Sequence, residues 1–99
     1  MFILRMKKKI LKNRYLFEDA LVRLLRKNNL TISVAESCTG GLTCSKIVNV
    51  GGASEVFKYG FITYANEAKM KLLGVSKDTL EKYTAVSEKT AREMACGAR

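Results

Sequence analysis

Hydrophobic positions change their spacing along the chain. From Tyr15 onward Leu16, Phe17, Ala20, Leu21, Leu24 and Leu25 recur every three or four residues. That spacing predicts an amphipathic helix, with Glu18, Asp19, Arg23, Arg26 and Lys27 on its polar side. Its acids come early and its bases late, the order a helix dipole favours. Asn28-Asn29 is a stop, because Asn tolerates a left-handed cap position. Leu30 to Ala35 then reads as a strand through Thr31-Ile32-Ser33-Val34. A turn over residues 35–41, Ala-Glu-Ser-Cys-Thr-Gly-Gly, leads into a second helix, Leu42 to Val50. Leu42, Cys44, Ile47 and Val48 give it an apolar face, and Gly51-Gly52 ends it.

A second strand is expected from Val56 to Ala65, carried by Val56, Phe57, Tyr59, Phe61, Ile62, Thr63 and Tyr64. Gly60 inside it predicts a bulge or a close backbone approach. Asn66 is expected to cap a helix over 68–73 that stops at Gly74, and Ser76 and Ser87 to cap the next two. The last helix, from Glu88, has Ala91, Met94 and Ala95 in register. Strands that alternate with helices predict an α/β fold, a three-layer sandwich whose central sheet is flanked by helices. Two strands make a poor sheet alone, so the architecture reads as incomplete.

Charge adds an asymmetry. The 99 residues carry a formal +9 with no histidine, three cysteines and no proline. Residues 1–27 hold nine Lys/Arg against Glu18 and Asp19, whereas residues 28–99 are nearly balanced. A basic arm over 1–14 thus precedes a body over 15–99. The arm can attract polyanions, but a solvated helix start explains it more simply, and nucleic acid is disfavoured as a partner for want of a recognised motif. Three cysteines without paired spacing point to reduced thiols and a cytoplasmic setting. No run approaches the ~18 apolar residues that span a bilayer, so no membrane partner is expected. Without histidine, Ser-His-Asp and Cys-His mechanisms are excluded within the chain, and no metal site is expected.

The 35–41 turn holds the candidate chemistry. Ser37 ends a strand beside Glu36, and Thr39, Gly40 and Gly41 open a helix whose amides can hold an oxyanion or phosphate. On the turn alone an ordinary strand–helix connection explains these residues at least as well. Cys38 is a rival nucleophile or a small apolar filler. Tyr64 and Lys69 offer a base system, because a desolvated lysine loses its proton more readily and a tyrosine hydroxyl can relay it. Otherwise they are an edge tyrosine and a surface lysine. Glu36 orients Lys69 or a substrate amide, or serves as an acid at a helix start.

A resemblance selects among these readings. Ala35-Glu36-Ser37-Cys38-Thr39-Gly40-Gly41, then the run from Gly60 to Lys69, then Leu72-Leu73-Gly74-Val75 and Ala85-Val86-Ser87-Glu88, resemble the C-terminal domain family of the competence/damage-inducible protein CinA. Its members include nicotinamide-nucleotide amidases. The resemblance implies hydrolysis of the carboxamide of nicotinamide mononucleotide to the carboxylate and ammonia, without a cofactor or metal. It places the serine nucleophile on Ser37, the tyrosine on Tyr64 and the lysine on Lys69, with Glu36, Thr39, Gly40, Gly41 and Asn66 toward the nucleotide substrate. Ala65 stands where the family has Ser. The family's later Gly-Ile-Ala-Gly-Pro and Gly-Thr-Val segments are absent from the chain. The chain therefore reads as the N-terminal part of such a domain.

Three readings follow. One is an amidase that needs the remaining segment in cis or from a partner. Another is an inactive truncated member or a small interaction module using its basic arm. The last is an α/β fragment that forms homo-oligomers through unpaired sheet edges.

Overall fold

The computed structural model describes residues 16–99; the basic arm over 1–14 and Tyr15 lie outside them. Helix α1 (Phe17–Lys27) leads to strand β1 (Ile32–Glu36), helix α2 (Leu42–Val48), a short 3-10 turn (Ala53–Glu55) and strand β2 (Phe57–Ile62). Helices α3 (Asn66–Leu73), α4 (Lys77–Tyr83) and α5 (Glu88–Ala98) follow. The two strands pair in parallel.

Side-chain alternation along β1 divides the core in two. Ile32 and Val34 join Leu21 and Val22 of α1, Ile47 of α2, Ala53 and Val56 on one face. Ala35 meets Leu73, Val75, Leu80, Met94 and Ala98 from α3 to α5 on the other. Helices thus cover both faces of the sheet, and the expected three-layer α/β sandwich is what forms. No helix among the described residues is long and apolar enough to cross a membrane.

Several boundaries differ from the sequence expectation for physical reasons. Helix α1 stops as expected, with Asn29 left-handed at φ 54°. The Leu30 amide donates to the Leu25 carbonyl (2.9 Å) and the Asn29 amide to the Arg26 carbonyl (3.2 Å), a Schellman closure. That closure takes up Leu30, so β1 starts two residues late. Val22 is buried while Leu16 and Leu24 of the expected stripe are exposed, since a two-stranded sheet is too narrow to cover the whole apolar side of α1. Leu42 and Val48 are exposed for the same reason, and α2 is anchored by Ile47 with Cys44 partly buried. Strand β2 ends at Ile62 rather than at Ala65. Ala65, not Asn66, is the N-cap of α3, and it makes no side-chain cap bond; Asn66 is the first helical residue. Ser76 and Ser87 do cap α4 and α5, accepting from the Thr79 and Thr90 amides. In α5 the buried face is Thr90, Met94 and Ala98, one position from the expected Ala91 and Ala95.

Of the two expectations for Gly60, the close approach holds at Gly60 itself, while the bulge falls at Lys58 instead. The register slips between Ile32 paired with Phe57 and Ser33 paired with Tyr59, which is a bulge at Lys58. A Cβ on Gly60 would lie 2.7 Å from the Cys44 sulfur, so α2 rests directly on β2 there.

Candidate active site

The site begins with the alternation of β1. Glu36 shares a face with Ile32 and Val34, and α2 lies over that face. The carboxylate is therefore carried beneath the start of α2, where it is 1% exposed. One oxygen, Oε1, accepts from the Thr39 hydroxyl at 2.6 Å and the Thr43 amide at 2.9 Å. The other, Oε2, accepts from the Cys44 amide at 3.0 Å. Burial by itself raises the Glu36 pKa, but the bonds from Cys44, Thr39 and Thr43 outweigh it and bring it down to about 2. Glu36 thus ties the turn to the helix, and neither oxygen is directed at Lys69. The same contact, with burial first, pushes the Cys44 thiol up to about 12, which leaves Cys44 unreactive.

This arrangement decides which amides of the turn are free. The Gly40 amide donates to the Ser37 carbonyl, and the Leu42 amide to the Thr39 carbonyl. Thr43 and Cys44 are spent on Glu36. The amides of Cys38, Thr39 and Gly41 have no acceptor among the described residues. Gly40 and Gly41 take positive φ values of 60° and 107°, which lets the turn close this tightly.

Lys69 approaches from the other side. It lies within α3 and is 1% exposed. Its Nζ donates to the carbonyls of Thr63 at 2.8 Å and Tyr64 at 2.7 Å. No carboxylate pairs with it among the described residues. Burial lowers its pKa, with a Cys38 thiolate acting the other way. The link to the turn runs through Thr63, whose amide donates to the Glu36 carbonyl at 2.8 Å and whose hydroxyl lies 3.5 Å from the same oxygen. Lys69 is thus one residue's hydrogen bonds away from the peptide that carries Ser37.

Of the residues singled out from the sequence, Ser37, Thr39, Gly40, Gly41 and Lys69 gather around this junction. Ser37 is half-buried and Cys38 exposed. Tyr64 contributes its carbonyl to Lys69, while its side chain is 76% exposed. Asn66 is exposed at the start of α3. Thr63, fully buried, is the residue that sequence reasoning passed over. As a β-branched residue at a strand end it looked like packing, and only the contacts on both sides of it reveal its position.

These features define a class: an α/β/α protein with a strand–turn–helix junction and, beside it, a buried lysine without a carboxylate partner among the described residues. The family model for the CinA C-terminal domain matches residues 15–99, and the chain belongs to that family. A CinA-like protein of Kosmotoga olearia is 66% identical over 80 residues, which are 81% of this chain and 19% of that protein. Among solved structures, a CinA superfamily protein from Escherichia coli superposes with TM-score 0.81 at 44% identity, covering 82% of this chain and 47% of that one. A competence/damage-inducible protein from Agrobacterium tumefaciens gives TM-score 0.74 at 42% identity, covering 82% and 52%. The chain therefore spans about a fifth of the curated relative and about half of the solved ones.

Proposed function

We propose that the junction is the catalytic centre of an amidohydrolase of the nicotinamide-nucleotide amidase type. The observation that carries this reading is the state of Lys69: a buried amine on two carbonyls, without a counter-ion among the described residues and with a lowered pKa. A lysine of that kind gives up its proton more readily than a solvated one and can act as a base where no histidine exists. Ser37 then attacks the carboxamide carbon of nicotinamide mononucleotide and loses its proton to Lys69. The free amides of Cys38, Thr39 and Gly41 are the donors nearest the oxyanion that forms. When the tetrahedral intermediate collapses, the C–N bond breaks and the Lys69 ammonium returns the proton to the departing nitrogen, which leaves as ammonia. Water, deprotonated by Lys69, attacks the Ser37 ester; the C–Oγ bond breaks, the carboxylate is released, and Lys69 returns the proton to Ser37 Oγ. Tyr64 and Asn66, both exposed, are the side chains we assign to contact with the nucleotide.

The test is ammonia release from nicotinamide mononucleotide by the purified chain, with folding verified by circular dichroism. Ser37→Ala is expected to lower the rate at least ~10³-fold. Turnover that persists in Ser37→Ala removes the nucleophile from this residue. No turnover in a folded wild-type chain removes the activity from the chain by itself.

A further inference from the structure

Two apolar side chains at the junction play no part in the proposed reaction. Leu42 and Ile62 are each 56% exposed, and both flank the Ser37 turn. Leu42 follows Gly41 directly, and its amide donates to the Thr39 carbonyl. Ile62 is paired with Glu36 in the sheet, and its Cδ1 lies 2.9 Å from where a Cβ on Gly41 would stand. Single exposed apolar residues are ordinary on a surface, but these two border a turn that carries a serine, with a buried lysine behind it. The ground around them is open. Cys38, Gly40, Tyr64 and Asn66 are exposed as well. Grooves of about 450 and 390 Å³ lie beside Ser33 and Ala95 and beside Val48 and Phe57, and neither is lined by Ser37, Tyr64 or Lys69. Enclosure is what selects a large ligand. Attack on an acyl carbon needs only a nucleophile, a base and a carbonyl held within reach of both.

We infer that the junction has a second activity: Ser37 is acylated by small activated aryl esters, with no nucleotide part required. The inference rests on Ser37 as nucleophile and Lys69 as base, the assignment made for the proposed function. An aryl ester suits the junction on two counts. Its leaving group is flat and apolar and lies against Leu42 and Ile62. Its bond also breaks without an acid, because an aryloxide departs as the anion whereas an amide nitrogen must be protonated as it leaves. Ser37 Oγ gives its proton to Lys69 Nζ and bonds to the acyl carbon; the carbon–aryloxide bond breaks and the aryloxide keeps the electron pair. The Lys69 ammonium then loses its proton to solvent. Water, deprotonated by the neutral amine, attacks the Ser37 ester; the C–Oγ bond breaks, the proton returns to Oγ, and the acid leaves as its carboxylate. Cys38, an exposed thiol next to Ser37, is the competing nucleophile that the test must separate.

The probe is p-nitrophenyl acetate at equimolar ratio to the full chain. Release of p-nitrophenolate is followed by absorbance, the acetylated residue is located by peptide mass mapping, and circular dichroism verifies that each variant is folded. A single acetyl group on Ser37 is expected. Lys69→Met is expected to slow acetylation of Ser37 at least ~10²-fold. Lys69→Arg, which keeps the charge but cannot lose a proton, is expected to do the same and serves if the first variant does not fold. Ile62→Ser is expected to lower the preference for p-nitrophenyl acetate over trifluoroethyl acetate, whose leaving group is small and not aromatic, at least ~3-fold. Acetyl groups on Cys38 or on surface lysines with Ser37 unmodified, Ser37 acetylation indifferent to both lysine variants, or a preference unmoved by Ile62→Ser overturns the inference. Acetylated Ser37 in a chain that releases no ammonia from nicotinamide mononucleotide supports it and confines the failure to the amidase reading.

Discussion

Glu36→Gln is the sharpest test of how the turn is held. The carboxylate accepts three hydrogen bonds, at 2.6, 2.9 and 3.0 Å, from the Thr39 hydroxyl and the Thr43 and Cys44 amides. Gln has nearly the same shape but offers one oxygen and one NH2 group. In either orientation its NH2 faces a donor that it cannot satisfy. The size of the loss follows from the pKa, which drops from 4.5 to about 2 in the fold. At about 1.4 kcal/mol per pH unit, the ionised form favours folding by about 3 kcal/mol. For a domain of this size that corresponds to a fall in Tm of roughly 12–24 °C.

The sign is equally specific. A carboxyl with a depressed folded pKa contributes its stability fully above the unfolded value and loses it as pH falls through the folded one. The gap between wild type and Glu36→Gln is thus full at pH 7. It narrows to about 1.4 kcal/mol at pH 3 and is nearly closed at pH 2, apart from the amide's own mismatch. Urea unfolding followed by circular dichroism at these three pH values measures it. A gap under ~0.5 kcal/mol at pH 7, or one that stays constant down to pH 2, would refute the assignment of Glu36 as the clamp.

Two other substitutions probe the lysine and the packing behind it. Between the lowered folded pKa of Lys69 and its ordinary 10.5, the unfolded chain binds more protons, so stability rises with pH across that interval. Lys69→Met is expected to abolish that slope and amidase turnover while leaving the fold intact; a retained slope assigns it to another group. Gly97→Ala places a Cβ 1.9 Å from the Leu73 carbonyl oxygen, which α5 can avoid only by moving off α3. The ~1 kcal/mol of helix propensity gained is expected to be outweighed, with a net loss of at least ~2 kcal/mol in urea unfolding, and an unchanged or higher Tm contradicts the close contact.

The sequence made the helices and the junction legible because each rests on local rules. Ser76 and Ser87 announce caps, Asn28-Asn29 a stop, and the change of period around Thr31 a strand. What it did not disclose depends on contacts between distant segments. Val22 replaces Leu24 in the core because the sheet beneath α1 is narrow. Thr63 matters through its bonds to Glu36 and Lys69, which are 27 and 6 residues away. Gly97 looks like a poor helix residue until Leu73 is set against it. The direction of Glu36 was the least accessible of all. An acid beside a serine suggests a partner for a base, and only the placement of α2 over the even face of β1 turns it toward backbone amides.

That direction has a chemical consequence. A carboxylate paired with Lys69 would hold it as an ammonium and raise its pKa, which is the wrong state for a base. The fold prevents this by sending the two groups to different partners. Glu36 points to the α2 side of the sheet, where three neutral donors stabilise its charge. Lys69 comes from α3, in the layer on the opposite face, and its hydrogen bonds among the described residues go to carbonyl oxygens. Carbonyls hold the amine in place without a full opposing charge, so burial remains the dominant influence and the pKa falls. Two buried ionisable side chains near one turn thus take opposite roles. The acid fixes the backbone that carries Ser37, and the amine is left without a full counter-charge, the state that the proposed function requires of a base. Thr63 joins the two halves, with its amide on the Glu36 carbonyl and its own carbonyl on Lys69, so the two side chains are tied to the same residue from opposite faces of the sheet.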